Sequence, residues 1–233
     1  MKILFAFIIP VALYAQTFPA PGPASRGPSG GGGALAVVAR GSAIADASAG
    51  TIDSSSMNCT GANLIVAVVE SSVDRVAVNG VVDNVNGPYT RGTSAISNVT
   101  DYIEMWYKQN ATPDAAQVVT ATFVSPASFR RILTWCISGS SVSSIDGEVS
   151  ANGSGVTAST APITPTVGNG IMIAGMANNT GPITWTPNNG FTNGFSNPSD
   201  IQGIELTGGT GPITPSAGLS VSGTWRIVAA SFK

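Results

Sequence analysis

Ala62-Asn-Leu-Ile-Val-Ala-Val-Val-Glu70 is the stretch on which the fold turns. It is strand-length, rich in β-branched residues and apolar on both faces, which predicts a central strand covered from both sides. The segment 102–108 alternates instead. Ile103, Met105 and Tyr107 fall on one face, and Tyr102, Glu104, Trp106 and Lys108 on the other, which is expected to be the outer face. No helix-period stripe of any length accompanies these two. Short runs of Val, Ile, Thr and Phe recur between clusters of Gly, Asn, Pro and Ser, the spacing of a sandwich or barrel. Strands are expected at 34–40, 62–70, 75–82, 89–96, 102–108, 117–124, 130–138, 145–150, 170–177, 183–186, 201–206, 219–222 and 225–232, with a turn at 112–116. The expectation is an all-β chain: a single antiparallel β-sandwich over 34–233, large enough for one core.

Upstream, residues 1–16 (MKILFAFIIPVALYAQ) combine one lysine, an apolar run and small residues around Ala12 and Ala15, the layout of a secretory signal peptide. The run is shorter than the roughly 20 residues that span a bilayer, and no later segment is long enough either. Residues 17–33 (TFPAPGPASRGPSGGGG) offer almost nothing to bury and read as a Pro/Gly-rich linker. The mature chain is therefore expected to be secreted or held at the cell surface, with no transmembrane segment.

Composition narrows the chemistry. Of 233 residues only 9% are charged, against roughly a quarter in an average domain, and there is no histidine. A Ser-His-Asp or Cys-His site loses its imidazole base, and a zinc site loses histidine ligands. The net charge is −2 and the pI about 4.9, so no basic stripe is available for nucleic acid. Cys59 and Cys136 either bridge, as an oxidising compartment allows, or stand as two buried thiols. Three related segments, Thr160-Ala-Pro-Ile-Thr, Thr180-Gly-Pro-Ile-Thr and Thr210-Gly-Pro-Ile-Thr, begin 20 and then 30 residues apart. That spacing is too unequal for a solenoid and suits one turn-into-strand unit used three times.

Paired carboxylates are the surviving route to an enzyme. Asp146 with Glu148 is the leading pair, with Glu70 and Asp74, and Asp101 and Glu104, as other local pairs. Gly147 and the Ser-rich flanks imply that Asp146 and Glu148 are exposed, so nothing there would raise one pKa as a glycosidase requires. Asp83-Asn-Val-Asn-Gly87 has the oxygens of a calcium loop but places Val85 at the third donor position, so a hairpin turn is expected. Gly30–Gly33 lacks the lysine of a phosphate loop. Asn-x-Ser/Thr triplets at Asn58, Asn98, Asn110, Asn152 and Asn178 are near the number chance supplies in so Ser/Thr-rich a chain. Aromatic rings are the remaining candidates. Trp106, Tyr102, Tyr89 and Trp185 could stack on a sugar, whereas Trp135 and Trp225, with apolar neighbours, are assigned to the core.

The segments Gly61-Ala-Asn-Leu-Ile-Val-Ala-Val, Val82-Asp-Asn-Val-Asn-Gly-Pro-Tyr-Thr and Ile103-Glu-Met-Trp-Tyr-Lys-Gln-Asn-Ala are followed by Val118-Val-Thr-Ala-Thr-Phe and Gly170-Ile-Met-Ile-Ala-Gly-Met-Ala. Asn189-Gly-Phe-Thr and Trp225-Arg-Ile-Val-Ala-Ala-Ser-Phe-Lys close the series. In order and spacing they resemble a widespread group of largely uncharacterised β-sandwich domains found in secreted or surface proteins of bacteria and in phage particle or tail proteins. The resemblance implies a jelly-roll-like sandwich with a structural or ligand-binding role and no catalytic set. The expected function is a non-catalytic secreted or surface module for structure, adhesion or assembly, without cofactor or metal. Its partners would be a second copy or a surface glycan. The alternatives are a carbohydrate-binding module and a phage virion or tail protein.

Overall fold

The computed structural model describes residues 34–72, 74–92, 96–97, 102–139, 145–181, 183–195 and 200–233. The signal-like segment, the linker, Asn98 and Asp101 lie outside them. All strand pairings are antiparallel and fall into three sheets. The first contains β1 (Ala36–Ala45), β9 (Arg130–Ser138), β3 (Leu64–Ser71), β7 (Tyr102–Gln109) and β5 (Thr90–Arg91) in that order, with β6 (Ile96–Ser97) also on β7. The second runs β10 (Ile145–Ser159), β15 (Ser216–Phe232), β11 (Ile171–Asn178), β14 (Ile201–Thr207) and β13 (Thr192–Asn193), with β12 (Trp185–Pro187) beside β15. A third has β8 (Val119–Ala127) between β2 (Ala49–Asp53) and β4 (Val78–Asp83). Among the described residues no helix is long and apolar enough to cross a membrane.

β3 explains the layering. Leu64, Val66 and Val68 join Ile103, Met105, Leu133, Trp135 and Ile137 in a core against Ile171, Ile173, Val228, Ala230 and Phe232 of the second sheet. The alternate residues Ile65, Ala67 and Val69 enter a core with Ile52, Val78, Val81, Val119 and Phe123 of the third. Every residue of β3 is buried, as its two-faced apolar sequence predicts. The first sheet thus forms a sandwich with the second and carries the small third sheet on its other face.

Glycines set the closeness of the two large sheets. At Gly175 of β11 a Cβ would overlap the Val68 side chain, and at Gly203 of β14 it would lie 2.6 Å from Trp135 Cζ2. Gly175→Val is expected to cost about 1–3 kcal/mol, the usual range for overpacking, read as a lower denaturant midpoint with unchanged slope. Gly80, whose Cβ position faces open space, is the control site for a Gly→Val change.

Cys59 and Cys136 are joined in a disulfide with Cα atoms 5.5 Å apart. Both are fully buried, so the bridge anchors the Met57–Ala62 segment to the centre of the first sheet.

Several boundaries differ from expectation, each for a reason. β2 has a half-exposed, Gly- and Asp-containing sequence that carries no strand signal of its own and is held by pairing with β8. Of the expected 89–96 strand, the described residues pair with β7 at Thr90–Arg91, which is β5, and at Ile96, which opens β6. β10 runs on through Asn152-Gly-Ser-Gly155, which looks like a turn, because Gly153 sits under the ring of its cross-strand partner Trp225. The segments at 219–222 and 225–232 are one strand, β15. The three Pro-Ile-Thr segments do not line up as equal strands. Ile163 and Ile213 pair in an isolated antiparallel bridge, and both pack with Ile183 over the outer face of the second sheet. What the three share is one isoleucine laid as a cover over that face.

Candidate functional site

β7 places the predicted aromatic residues. Its alternation is as expected, with Ile103 and Met105 facing the second sheet, but the opposite face is not open. The third sheet covers it, so Trp106 is only 7% exposed and lies in the core with Tyr89. Trp106 Nε1 donates to Glu104 Oε2 at 3.1 Å, and the Val78 amide donates to Glu104 Oε1 at 3.1 Å. Arg91 Nε lies 2.9 Å from Glu104 Oε2, and Arg91 Nη2 donates to the Tyr102 hydroxyl at 3.0 Å. Burial raises the Glu104 pKa, while Val78, Arg91 and Trp106 pull it back. The result is a carboxylate tied to a half-exposed arginine and through it to Tyr102, a polar thread from core to surface.

Of the other two rings, Tyr89 shares the core of Trp106 and Trp185 does not. Tyr89 is buried and donates its hydroxyl to Asp83 Oδ2 at 2.8 Å; burial first, then the Asp83 charge, push its pKa far up. Trp185 is buried on the outer side of the second sheet, in a different core. The four rings therefore do not form one platform. Trp106, Tyr89 and Trp185 are packing residues, because covering elements that a single-strand pattern cannot reveal lie over them. Tyr102 alone is partly exposed.

The carboxylate pairs also separate. Asp146 accepts from the Thr166 hydroxyl at 2.6 Å, the Thr166 amide at 2.7 Å and Lys233 Nζ at 3.0 Å. Burial alone would raise its pKa, but the Thr166 and Lys233 bonds outweigh that and hold it below the usual value of 3.8. Glu148 lies beside Gly92, and burial, aided by the Glu148 charge, raises the pKa of Tyr107. Glu70 is fully buried whereas Asp74 is exposed and accepts from the Ser128 amide at 2.6 Å. In the Asp83 turn, Asp83 accepts from the Val85 amide at 2.8 Å and from Asn86 Nδ2 at 3.0 Å, and Asn84 and Asn86 bond the 112–118 segment. Its oxygens are thus turned toward N–H donors and the Tyr89 hydroxyl rather than toward a common point. No group of three or more acidic, Cys or His residues fit to hold a metal occurs among the described residues.

Because the Asp146 pKa is depressed in the fold, its contribution to stability is complete above the unfolded value, near 3.8, and is lost as pH falls through the folded one. Asp146→Asn is expected to flatten that part of the acid limb, so that the melting temperature of the variant falls less steeply below about pH 4 than that of the parent. Equal slopes would refute the assignment.

Sequence reasoning missed the main concentration of charge. Arg130 and Arg131 are adjacent on β9, so their side chains leave opposite faces of the first sheet. Arg130 donates to the carbonyls of Ala47 and Thr51 on the side of the third sheet. Arg131 Nε and Nη2 donate to Asp200 at 2.9 and 3.1 Å, and Nη1 lies 2.9 Å from Asp46. Burial opposes the Arg131 charge, but Asp200, Glu70 and Asp46 more than restore it and raise its pKa. Near it Arg226 Nη2 of β15 stands 3.6 Å from Glu70 Oε1 of β3, both side chains fully buried, and Ser72 Oγ donates to Glu70 at 2.8 Å. A second pin joins Arg40 of β1 to Glu205 of β14 through both carboxylate oxygens, and Trp135 Nε1 donates to Glu205 Oε2 at 3.0 Å. The signal available was a lone charge inside an apolar strand, as in Trp225-Arg-Ile-Val.

Compared with known proteins, the chain matches no family model, no curated protein and no solved structure.

Proposed function

We propose that this chain is a non-catalytic, exported or surface-borne β-sandwich with a structural, adhesion or assembly role. The observation that carries the reading is the use made of its scarce charges. Glu70, Arg226, Arg130, Arg131, Asp200, Arg40 and Glu205 link one sheet to another, which is the work of a scaffold. The buried Cys59–Cys136 bridge supports an oxidising compartment. The signal-like start, the linker and the resemblance to secreted and phage-particle sandwiches point the same way. Low net charge favours association over colloidal repulsion. A glycan-binding role would rest on Tyr102 without the other three rings, and so has less support.

The test is N-terminal sequencing and non-reducing mass mapping of the natural product, with its location. The expected result is processing near Ala15 or Gln16, a bridged chain, and recovery outside the membrane. An uncut chain inside virions would support the phage alternative. An uncut, reduced chain inside the cell would overturn the reading.

A further inference from the structure

Sheet edges expose backbone donors and acceptors, and proteins usually blunt them with short strands, lysine, proline or bulges. Most edges here are short: β5 and β13 have two residues each and β12 three. β1 is longer but breaks register between Val37 and Ala39 and carries Arg40. β10 is different. It has 15 residues and, among the described residues, pairs on one side only, with β15. From Val149 to Ser159 it contains no charged residue and no proline.

We propose that β10 is the edge through which two copies of this chain pair, antiparallel about a two-fold axis at Ala151, joining their second sheets into one continuous sheet. The inference rests on the assembly role proposed above and names its partner and surface. Three features select a second copy as the occupant. First, register shifts fall between Ile145 and Gly147 and between Gly155 and Thr157, so the regular run is Gly147–Gly155 with Ala151 at its centre. Only pairing centred there uses the whole run, about 30 Å of strand. Second, directly opposite residues in that register share a face, as antiparallel pairing requires. Ser150 meets Asn152 and Val149 meets Gly153. Ser150, Asn152 and Ser154 form the exposed polar face, while Val149 and Ala151 pack toward the outer core. Third, no like charges meet. Glu148 falls opposite Ser154, and Asp146 is already engaged by Lys233. An acidic peptide would meet Glu148, whereas an identical strand sets it opposite neutral Ser154 and fits without repulsion.

Sedimentation velocity on the full chain across a wide concentration range tests this. The parent is expected to shift from the mass of one chain to that of two. Ser150→Lys with Asn152→Lys sets lysine against lysine twice and is expected to weaken pairing by about tenfold or more. Ser150→Asp with Asn152→Lys sets opposite charges across the same positions and is expected to keep or tighten it. Unaltered thermal unfolding of the diluted double-lysine chain shows that the fold is intact. If that variant pairs as the parent does, the proposal falls while an assembly role through another surface stands. A parent that stays monomeric throughout also overturns it, and the broader role is then decided by processing and location. A dimer that the opposite-charge variant loses as fully as the double-lysine one would overturn the register.

Discussion

Replacing both cysteines by alanine is expected to lower the unfolding free energy by about 4 kcal/mol, the chain-entropy cost of opening so long a loop. The bridge spans 77 residues of sequence and encloses β3 through β8, so its loss frees the denatured chain over the centre of two sheets. Two consequences separate this from simple loss of packing. The effect should be matched by reduction of the parent under denaturing titration. The denaturant slope should rise in the unbridged chain, because its unfolded state exposes more surface. An unchanged midpoint on reduction would mean that Cys59 and Cys136 act only as buried apolar side chains.

Glu70→Gln is expected to cost about 3–5 kcal/mol, the range for breaking a fully buried ion pair. Its size has an electrostatic cause. Glu70 faces two arginines, Arg226 at 3.6 Å and Arg131, whose charge it helps to hold. Removing the carboxylate takes away the negative charge that Arg226 and Arg131 share. Removing Arg226 leaves Glu70 with Arg131 and is expected to cost less. Glu70→Leu with Arg226→Met, which removes both desolvated charges, should recover much of the loss. Chemical denaturation of the parent and these three variants checks the order, and a double variant as unstable as Glu70→Gln would refute the account.

Much of the fold was legible because strands write their environment into a period of two. The two-faced run at 62–70 announced burial from both sides, and alternation along 102–108 announced one buried face. What the second face of β7 meets was not legible. Trp106 and Glu104 look the same in sequence whether they face water or the third sheet. β2 escaped notice because its residues owe their strand form to β8 rather than to their own propensities. The second half of β10 escaped because glycine and serine signal turns, and only the ring of Trp225 across the strand makes Gly153 a packing residue.

The sequence by itself determined the class. The lack of histidine leaves no imidazole, and short β-branched runs between turn residues point to an all-β chain. These are properties of composition and local period, which need no neighbours. Tertiary structure alone decided which charges are partners, that Cys59 meets Cys136, that three of the four candidate rings are core, and that β10 stands as a long edge without charge from Val149 onward. Each depends on residues far apart in sequence that only sheet register brings together. Register is set by the sum of contacts along whole strands rather than by any one segment.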